Sequence, residues 1–306
     1  MPSESRPKLI LASRSPRRRE LLSKRAIGWI NWTRNRHQVH RRDVLDALTG
    51  DIARQHPDHI AVTGDLAIVS TPAEWQSCRA WLQDCNKPDT CSQAPGNHDA
   101  YTRRAIPGTA LAWREYMAGD PDTATHGGFP YLRRRGPLAI VGCSSAVVTA
   151  PFMATGRIGH EQIERLGPLL KSLGDEGLFR VVLVHHTPVR TAGDRYRRMT
   201  DARAFRRLLA ETGAELVLHG HEHRTTLHWI AGAGEPVPVI GVPSASAIAH
   251  GSRPAAQYNL YEISGEPGAR SCRMRVRGFD GGELLELSDT MLFEDGRATG
   301  ETPKAR

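Results

Sequence analysis

Four short segments rich in aspartate, asparagine and histidine constrain this chain more than any other feature of its sequence. In chain order they are Gly64-Asp65, Gly96-Asn97-His98-Asp99, His185-His186 and Gly220-His221-Glu222-His223. Three of them come directly after apolar runs that are typical of buried strands, at 60–62, 181–184 and 216–218. Side chains at the ends of buried strands lie on loops that a sheet holds in place. The pattern therefore predicts loops that bring carboxylate, amide and imidazole groups together, as a di-metal hydrolytic centre requires.

The composition is that of a globular protein. The chain has 306 residues, of which 39% are hydrophobic and 24% charged, enough for one large core or two modest ones. No apolar stretch approaches the length of about 18 residues that a transmembrane helix needs. The apolar run at 9–12 is too short for the core of a signal peptide, so we expect a cytoplasmic protein.

The cysteines argue against a disulfide-bonded or zinc-stabilised fold. There are five of them: Cys78, Cys85, Cys91, Cys143 and Cys272. Their number is odd, and no two have the Cys-x-x-Cys spacing of a zinc site. We therefore expect reduced thiols with mostly structural roles.

Positive charge is concentrated near the N-terminus, in the segment from Arg14 to Arg42. This segment carries a net +9 of the chain's total of +8, so the rest of the chain sums to −1. Such a segment can attract nucleic acid, acidic lipid or a polyanionic substrate, or it can be a solvated helix face with a connecting loop. Trp29 and Trp32, interleaved with Arg34 and Arg36, could stack on bases, lie at a membrane interface or cover an edge of the core.

Predicted elements alternate between strands and helices over the first two thirds of the chain and are mainly strands afterwards. Apolar periodicity predicts helices at 17–25, 39–54, 73–82, 111–117, 160–172 and 201–211. Strands are predicted at 8–12, 60–63, 91–94, 138–143, 179–184, 215–218, 226–230, 237–242, 258–263 and 272–276. This order favours an α/β protein with mixed sheets. The polar end of the chain, 294–306, is predicted to be a flexible tail.

Each of the four segments has an ordinary explanation by itself, because Gly-Asp is common in turns and paired histidines can lie in a core. Together and in this order they resemble the calcineurin-like metallophosphoesterases, over about residues 40–290. The resemblance implies a sandwich of two mixed β-sheets flanked by helices, in the layer order α/β/β/α. It also implies one metallophosphoesterase domain at 43–293, between a basic N-terminal segment at 1–42 and the tail at 294–306.

The same resemblance implies a centre of one or two divalent ions, and Mn, Fe, Zn or Co suit imidazole and oxygen ligands. One metal would be held by the residues at the matching positions: Asp65, Asn97, His185 and His221. Asp65 would bridge to a second metal, since a bridging ligand must be an anionic group with two oxygens, and His223 would help to hold that metal. We choose His185 over His186 as the ligand because it directly follows the predicted strand.

Two further residues of the Gly-Asn-His-Asp segment acquire catalytic roles from the resemblance. His98 would point toward the scissile phosphate, where it would stabilise charge or protonate the leaving oxygen. Asp99 would orient His98. His219, directly before Gly220, is interpreted as a supporting or structural histidine.

The family's opening motif, a strand followed by Asp-x-His that completes the second metal position, is absent from this chain. No Asp-x-His occurs before Asp65, and the earliest histidines, His37 and His40, lie in a polar basic stretch. The first predicted strand leads instead into Ser13-Arg14-Ser15, which lacks both ligands and adds a positive charge. We therefore expect the second metal to bind weakly or not at all.

Residues 8–22 resemble something else, the opening of the Maf family of nucleotide pyrophosphatases. In that family a Ser-x-Ser-Pro-Arg-Arg segment contacts substrate phosphates, and here residues 13–18 read Ser-Arg-Ser-Pro-Arg-Arg. Nothing Maf-like follows. Chance convergence, a gene fusion or a reading-frame error each account for so short a resemblance.

The sequence leaves two hypotheses for function. The first is a metal-dependent phosphoesterase in which a metal-activated hydroxide attacks phosphorus in line, with phosphodiesters as the first substrate class and phosphomonoesters as the second. The second is a catalytically degenerate binding or scaffold protein of the same fold that uses its basic N-terminal segment. The missing Asp-x-His favours the second hypothesis, whereas the retained Gly-Asn-His-Asp and Gly-His-Glu-His segments favour the first.

Overall fold

The computed structural model of the protein describes residues 24–34, 36–123, 128–190 and 195–302. Within them the chain forms six α-helices: α1 (Lys24–Arg34), α2 (Arg42–Arg54), α3 (Pro72–Cys85), α4 (Ala105–Ala112), α5 (His160–Asp175) and α6 (Ala202–Thr212). Short 3-10 turns lie at Arg36–Gln38, Pro88–Thr90 and Arg114–Tyr116. The strand predicted at 8–12, the Maf-like segment at 8–22 and most of the helix predicted at 17–25 lie outside the described residues.

Within the described residues the predicted strands occur in the predicted order, and three further strands are present, one at 131–135 and two near the C-terminus. They are β1 (Ile60–Val62), β2 (Cys91–Gln93), β3 (Tyr131–Arg135), β4 (Leu138–Gly142), β5 (Phe179–Leu183), β6 (Leu216–His219), β7 (Thr226–Ile230), β8 (Val237–Gly241), β9 (Gln257–Ser264), β10 (Ser271–Asp280), β11 (Glu283–Glu294) and β12 (Arg297–Ala298). Residues 283–293 were not predicted as a strand, because β11 is mostly exposed and only Leu292 and Phe293 on it are buried. The sequence of β11 therefore contains no apolar run of the kind that indicates a buried strand.

The strands form three sheets within the described residues. A six-stranded sheet has the order β3-β4-β5-β6-β8-β7, with β4, β5, β6 and β8 parallel and an antiparallel strand at each edge. A four-stranded sheet, β12-β11-β10-β9, is antiparallel throughout. The third sheet is the parallel pair of β1 and β2. The α/β class is therefore confirmed, but of the two large sheets only one is mixed, because consecutive strands joined by short turns pair antiparallel.

Neighbouring residues of β5 belong to different hydrophobic cores, and this shows how the sheets and helices are stacked in layers. Val182 packs in a core with α5 and α6, where Leu166, Leu170 and Phe205 are buried. Val181 and Leu183 lie in a second core, shared with residues of the four-stranded sheet. Because successive side chains of a strand point to opposite faces, the six-stranded sheet lies between a helical layer and the second sheet. A third core contains Leu82 of α3 and Trp113, and it packs against β1 and β2.

The segment expected to be a flexible tail is partly ordered. β12 pairs with the end of β11, at Phe293 and Glu294. The N–H of Thr299 donates to the carbonyl oxygen of Leu292 at 3.0 Å. These backbone hydrogen bonds hold the chain against the four-stranded sheet as far as Thr299, and residues 303–306 lie outside the described part.

The described part of the basic segment contacts the rest of the protein. Arg25 is buried, and its Nε donates to the carbonyl oxygen of Val69 at 2.9 Å. Arg41 and Arg42 form ion pairs with Asp43 and Asp46. Trp32 is 5% exposed, so it covers the core, as one of the alternatives for the tryptophans predicted.

Two expectations from composition can be compared with the structure directly. All five cysteines are free, and four of them are buried. In the part of the chain that the structure describes, every helix is too short or too polar to span a lipid bilayer.

Asp51 joins α2 to the four-stranded sheet. Its carboxylate accepts hydrogen bonds from the Tyr258 hydroxyl on β9 at 2.7 Å and from Nε of Arg277 on β10 at 2.8 Å. Asp51→Ala should lower the free energy of unfolding by about 3 kcal/mol, because it leaves a largely buried guanidinium without its partner. Urea denaturation measures this. Asp46→Ala removes an exposed carboxylate on the same helix and should cost about 0.5 kcal/mol or less; equal effects of the two variants would contradict the anchoring role.

The same carboxylate makes stability depend on pH. Burial raises the pKa of Asp51, but hydrogen bonds from Arg277, Tyr258 and Arg54 outweigh burial and hold the pKa below its ordinary value. A carboxyl group with a lower pKa in the folded state stabilises that state fully above its unfolded pKa, about 3.9 for aspartate. The contribution of Asp51 is therefore lost as the pH falls from that value through the folded pKa.

Candidate metal centre

The four polar segments meet at one end of the sheets. Asp65 follows β1 and Asn97 follows β2, and these two strands are parallel. His185 follows β5 and His221 follows β6, which are also parallel neighbours. The carboxyl ends of parallel strands lie at the same edge of a sheet, so a sequence order of strand, polar loop, strand, polar loop places the side chains close together.

The loops at this edge adopt backbone conformations that are unusual for their residue types. Asp65 has φ +60°, His221 has φ +62° and His223 has φ +53°, all in the left-handed region. Non-glycine residues rarely occupy this region, and those that do cluster at functional sites. Gly64, with φ +96°, precedes the first of them, and a Cβ there would lie 2.7 Å from the carbonyl oxygen of Ala94. Only glycine fits between the two loops at that point.

Three potential ligand atoms lie close to Nε2 of His185, which is itself a potential ligand. That nitrogen lies 3.2 Å from Oδ1 of Asn97 and 3.2 Å from Oδ2 of Asp65. Nδ1 of His221 is also 3.2 Å from it. Two ligands that each bind an ion at about 2.1 Å, at angles between square and tetrahedral, are about 3.0–3.4 Å apart. Each of the three atoms therefore lies at the distance from Nε2 of His185 that two ligands of one metal have.

The hydrogen bond on the far side of the His185 ring fixes which nitrogen faces these three atoms. Nδ1 of His185 donates to the carbonyl oxygen of Thr63 at 2.6 Å, so Nε2 is the nitrogen that faces Asn97, Asp65 and His221. Burial lowers the pKa of His185, but the Asp65 carboxylate outweighs burial and raises it, so Nε2 holds a proton against Asp65 that a divalent ion would displace. The donor set thus fits a divalent ion.

Oδ2 of Asp65 is the oxygen that lies close to His185. Its Oδ1 accepts the backbone N–H of His98 at 2.9 Å, which leaves that oxygen a second lone pair. The bridging role of Asp65 stays a prediction. Burial by itself would raise the pKa of Asp65, but nearby His185 and His98 hold it well below its ordinary value, so the group is a carboxylate.

His186 is close to the other histidines but has other partners. The described residues contain one group of three histidine, cysteine or acidic side chains whose ligand atoms lie within 4.8 Å of one another, namely His185, His186 and His221. Nδ1 of His186 accepts from the hydroxyl of Ser145 at 2.8 Å, and Nε2 donates to the carbonyl oxygen of Ala154 at 3.1 Å. Both nitrogens of His186 are thus engaged, and His185 stays the proposed ligand.

The structure assigns Asp99 a different task from the one predicted. Its carboxylate accepts the backbone N–H groups of Asp65 at 2.9 Å, Gly96 at 2.8 Å and Ala67 at 3.0 Å. The ring of His98 is oriented instead by the carbonyl oxygen of Ile68, 2.5 Å from Nδ1. Asp99 therefore fastens the Asp65 loop to the Gly96 loop. Burial and the charge of Asp65 raise its pKa to about 7.

His223 lies apart from the four potential ligand atoms, beside His40. The centroids of these two rings are 6.2 Å apart, and Nδ1 of His40 hydrogen-bonds to the hydroxyl of Ser246 at 2.9 Å. Burial lowers the pKa of His223 to about 3, with Arg253 among the charges that add to the effect, so the ring is neutral. The position of Ser13 and Arg14, which replace the Asp-x-His motif, is outside the described residues.

Sequence reasoning missed Arg36 and His40 at this site. Both lie between α1 and α2, far from the other segments in sequence, and the polar basic stretch around them has no strand or glycine to mark a site. Nη1 of Arg36 is 3.2 Å from Nε2 of His98. Only the folded chain brings them to the metal-ligand residues.

Comparisons with known proteins agree with this geometry. A family model described as calcineurin-like phosphoesterase matches residues 37–225, more than half of the chain. The chain is 25% identical over 181 residues to a protein of Synechococcus sp. named a probable cyclic nucleotide phosphodiesterase, an alignment that covers 58% of this chain and 62% of that protein. The chain thus spans less than two thirds of that relative. A dimetal phosphatase from Danio rerio has a similar fold, with a TM-score of 0.53 and 13% identity over 80% of this chain and 88% of that one.

Proposed function

This chain belongs to the calcineurin-like phosphoesterase family, and we propose that it is a metal-dependent hydrolase of phosphate esters. The observation that carries the proposal is the convergence of Asp65 Oδ2, Asn97 Oδ1 and His221 Nδ1 on Nε2 of His185, each at 3.2 Å. Phosphodiesters are the first substrate class to test and phosphomonoesters the second. The Synechococcus relative, named a probable cyclic nucleotide phosphodiesterase, supports beginning with cyclic phosphodiesters.

In this proposal Asp65, Asn97, His185 and His221 hold one divalent ion. When bound, such an ion acts as a Lewis acid that lowers the pKa of a water molecule and neutralises charge on phosphorus oxygens. The chain's own contribution is orientation. The carbonyl oxygen of Thr63 holds the ring of His185 with Nε2 toward the site, and Asp99 ties the Asp65 loop to Gly96, next to Asn97.

His98 is proposed to contact the phosphate as a neutral ring. Burial lowers its pKa, with the charge of Arg36 adding to the effect, so the ring does not carry a proton to the leaving group as readily as the sequence suggested. Nδ1 holds the proton against Ile68, and Nε2 faces the N–H of Arg36. We therefore assign charge stabilisation at the phosphate to the pair of side chains, in preference to general acid catalysis by His98 alone.

The occupancy of a second metal position stays a prediction. His223 supplies one imidazole near Asp65, but the side chains that the family's Asp-x-His motif would provide are missing from the sequence. We propose that one ion binds tightly and that activity is lower than that of a site with two ions, because one ion cannot clamp both the attacking and the leaving oxygen.

The test is hydrolysis of bis(p-nitrophenyl) phosphate by protein stripped of metal and then supplied with Mn²⁺. We expect activity to appear with Mn²⁺, to disappear with a chelator and to be absent in Asn97→Ala, which removes one ligand oxygen. Metal content of each sample is measured by mass spectrometry. Hydrolysis that is equal in Asn97→Ala and in the wild type would refute the assigned centre.

The second candidate function, a binding or scaffold protein of the same fold, is favoured by the absent Asp-x-His motif alone. It predicts a protein that binds one metal ion and hydrolyses neither phosphodiesters nor phosphomonoesters. A metal-loaded wild type that is inactive on both classes would make this the better proposal.

A further inference from the structure

The 3-10 turn at Arg36–Gln38 puts a guanidinium into the opening of the metal centre. Nη1 of Arg36 is 3.2 Å from Nε2 of His98, and Nδ1 of that ring donates to Ile68. Nε2 of His98 therefore accepts a hydrogen bond from Arg36. An arginine side chain has five N–H donors in a rigid fork, and this contact uses one of them.

The charges around Arg36 are mostly of its own sign. Its guanidinium is close enough to the carboxylate of Asp65 and to Arg197 for each to act on it electrostatically. Nη2 of Arg197 donates to the carbonyl oxygen of His221 at 3.1 Å, on the opposite loop. Arg253 lies near both arginines and has its charge opposed by theirs.

The three guanidinium groups repel one another, and a divalent ion at Asp65 would add further positive charge. Such a cluster is stabilised by a bound anion, and the forked donors of arginine match the oxygens of a phosphate group. Burial already disfavours the charged form of Arg36, which lowers its pKa. Within the described residues, Arg36 hydrogen-bonds to a neutral histidine ring.

We propose that Arg36 binds the non-bridging oxygens of the substrate's phosphate group beside the proposed metal ligands. Arg197 and Arg253 add positive charge at the opening of the metal centre. The inference rests on the proposed function, since it assigns the recognition of the substrate's anion at that same site. It gives the site a permanent positive group beside His98. Arg36 then selects substrates that present a phosphate with two free oxygens to its fork.

The experiment measures binding of inorganic phosphate to the Mn²⁺-loaded protein by calorimetry. Arg36→Gln should weaken phosphate binding about tenfold or more, because it removes a charged, forked donor. Metal content, measured by mass spectrometry, should equal that of the wild type in this variant, because Arg36 is not a ligand. Arg34→Gln is the matched control, since Arg34 is exposed at the end of α1 and lies two residues away. Its phosphate affinity should stay within about twofold of the wild type.

Arg36→Lys separates charge from geometry and protects the test against a folding defect in the glutamine variant. Lysine keeps the charge but not the fork, so phosphate binding weaker than wild type in a variant with wild-type thermal stability supports the proposal. Phosphate affinity equal to the wild type in both Arg36 variants, with metal bound, would overturn it.

The result is independent of turnover. If the metal-loaded wild type hydrolyses no phosphate ester, the proposed function fails, yet loss of phosphate binding in Arg36→Gln would still establish the anion site. If the wild type is active and Arg36→Gln binds phosphate as tightly as it does, the proposed function stands and this inference fails.

Discussion

His185→Ala is expected to remove the bound metal and to lower phosphodiester hydrolysis by about 10³-fold. The physical reason is the position of Nε2, which lies 3.2 Å from each of Asp65 Oδ2, Asn97 Oδ1 and His221 Nδ1 and completes the donor set. Metal affinity should fall by more than about 100-fold, the upper end of what loss of a supporting partner costs. Titration of metal-stripped protein with Mn²⁺, followed by calorimetry, measures the affinity, and the chromogenic phosphodiester assay measures the rate.

The neighbouring histidine provides a matched control. His186→Ala removes the same side chain from an equally buried position, where both ring nitrogens already have partners in Ser145 and Ala154. This variant should lose about 1–3 kcal/mol of stability, because a buried hydroxyl and a buried carbonyl lose their partner. It should still bind metal. Loss of metal in His186→Ala with retention in His185→Ala would reverse the assignment of the two residues.

Gly96→Ala is expected to lower hydrolysis by about 100-fold or more without removing any ligand. A Cβ at this position would lie 2.1 Å from Oδ1 and 2.6 Å from the backbone nitrogen of Asp65, so the carboxylate must move. A displacement of about 1 Å at a catalytic group costs roughly 100-fold in rate. The overpacking should also cost about 1–3 kcal/mol of stability. Rate and urea-denaturation measurements on the same preparation check both effects.

Gly50→Ala tests whether the loss belongs to the site or to any added methyl group. Gly50 lies inside α2, and a Cβ there meets only Nη1 of Arg54, at 3.8 Å. Alanine in a helix interior is favoured over glycine by about 0.5–1 kcal/mol, so this variant should be slightly more stable and fully active. Hydrolysis by Gly96→Ala equal to that of Gly50→Ala would show that Asp65 tolerates the displacement.

The hydrophobic pattern of the local sequence was sufficient to predict the strands whose residues are buried. β5 and β6 are apolar runs bounded by polar loops, and both lie within one residue of the predicted strands. β2 was predicted from its place before Pro95-Gly96-Asn97 although its residues are poor strand formers, and all three residues are buried. The strands β3, β11 and β12 were missed, because β3 contains three arginines and β11 is mostly exposed, and their pairing is decided by neighbouring strands.

By itself the sequence determined the proposed ligand set, which is Asp65, Asn97, His185 and His221. Each of these residues follows a strand, and glycines lie where the loops approach closely. Ligands that follow buried strands are predictable because the strand pattern and the ligand are adjacent in the chain. Only the tertiary structure decided what surrounds them. It gave Asp99 three backbone N–H partners, engaged both nitrogens of His186, and placed Arg36 against His98, 62 positions further along the chain. Contacts of this kind depend on how distant loops pack, and no local pattern of residues encodes them.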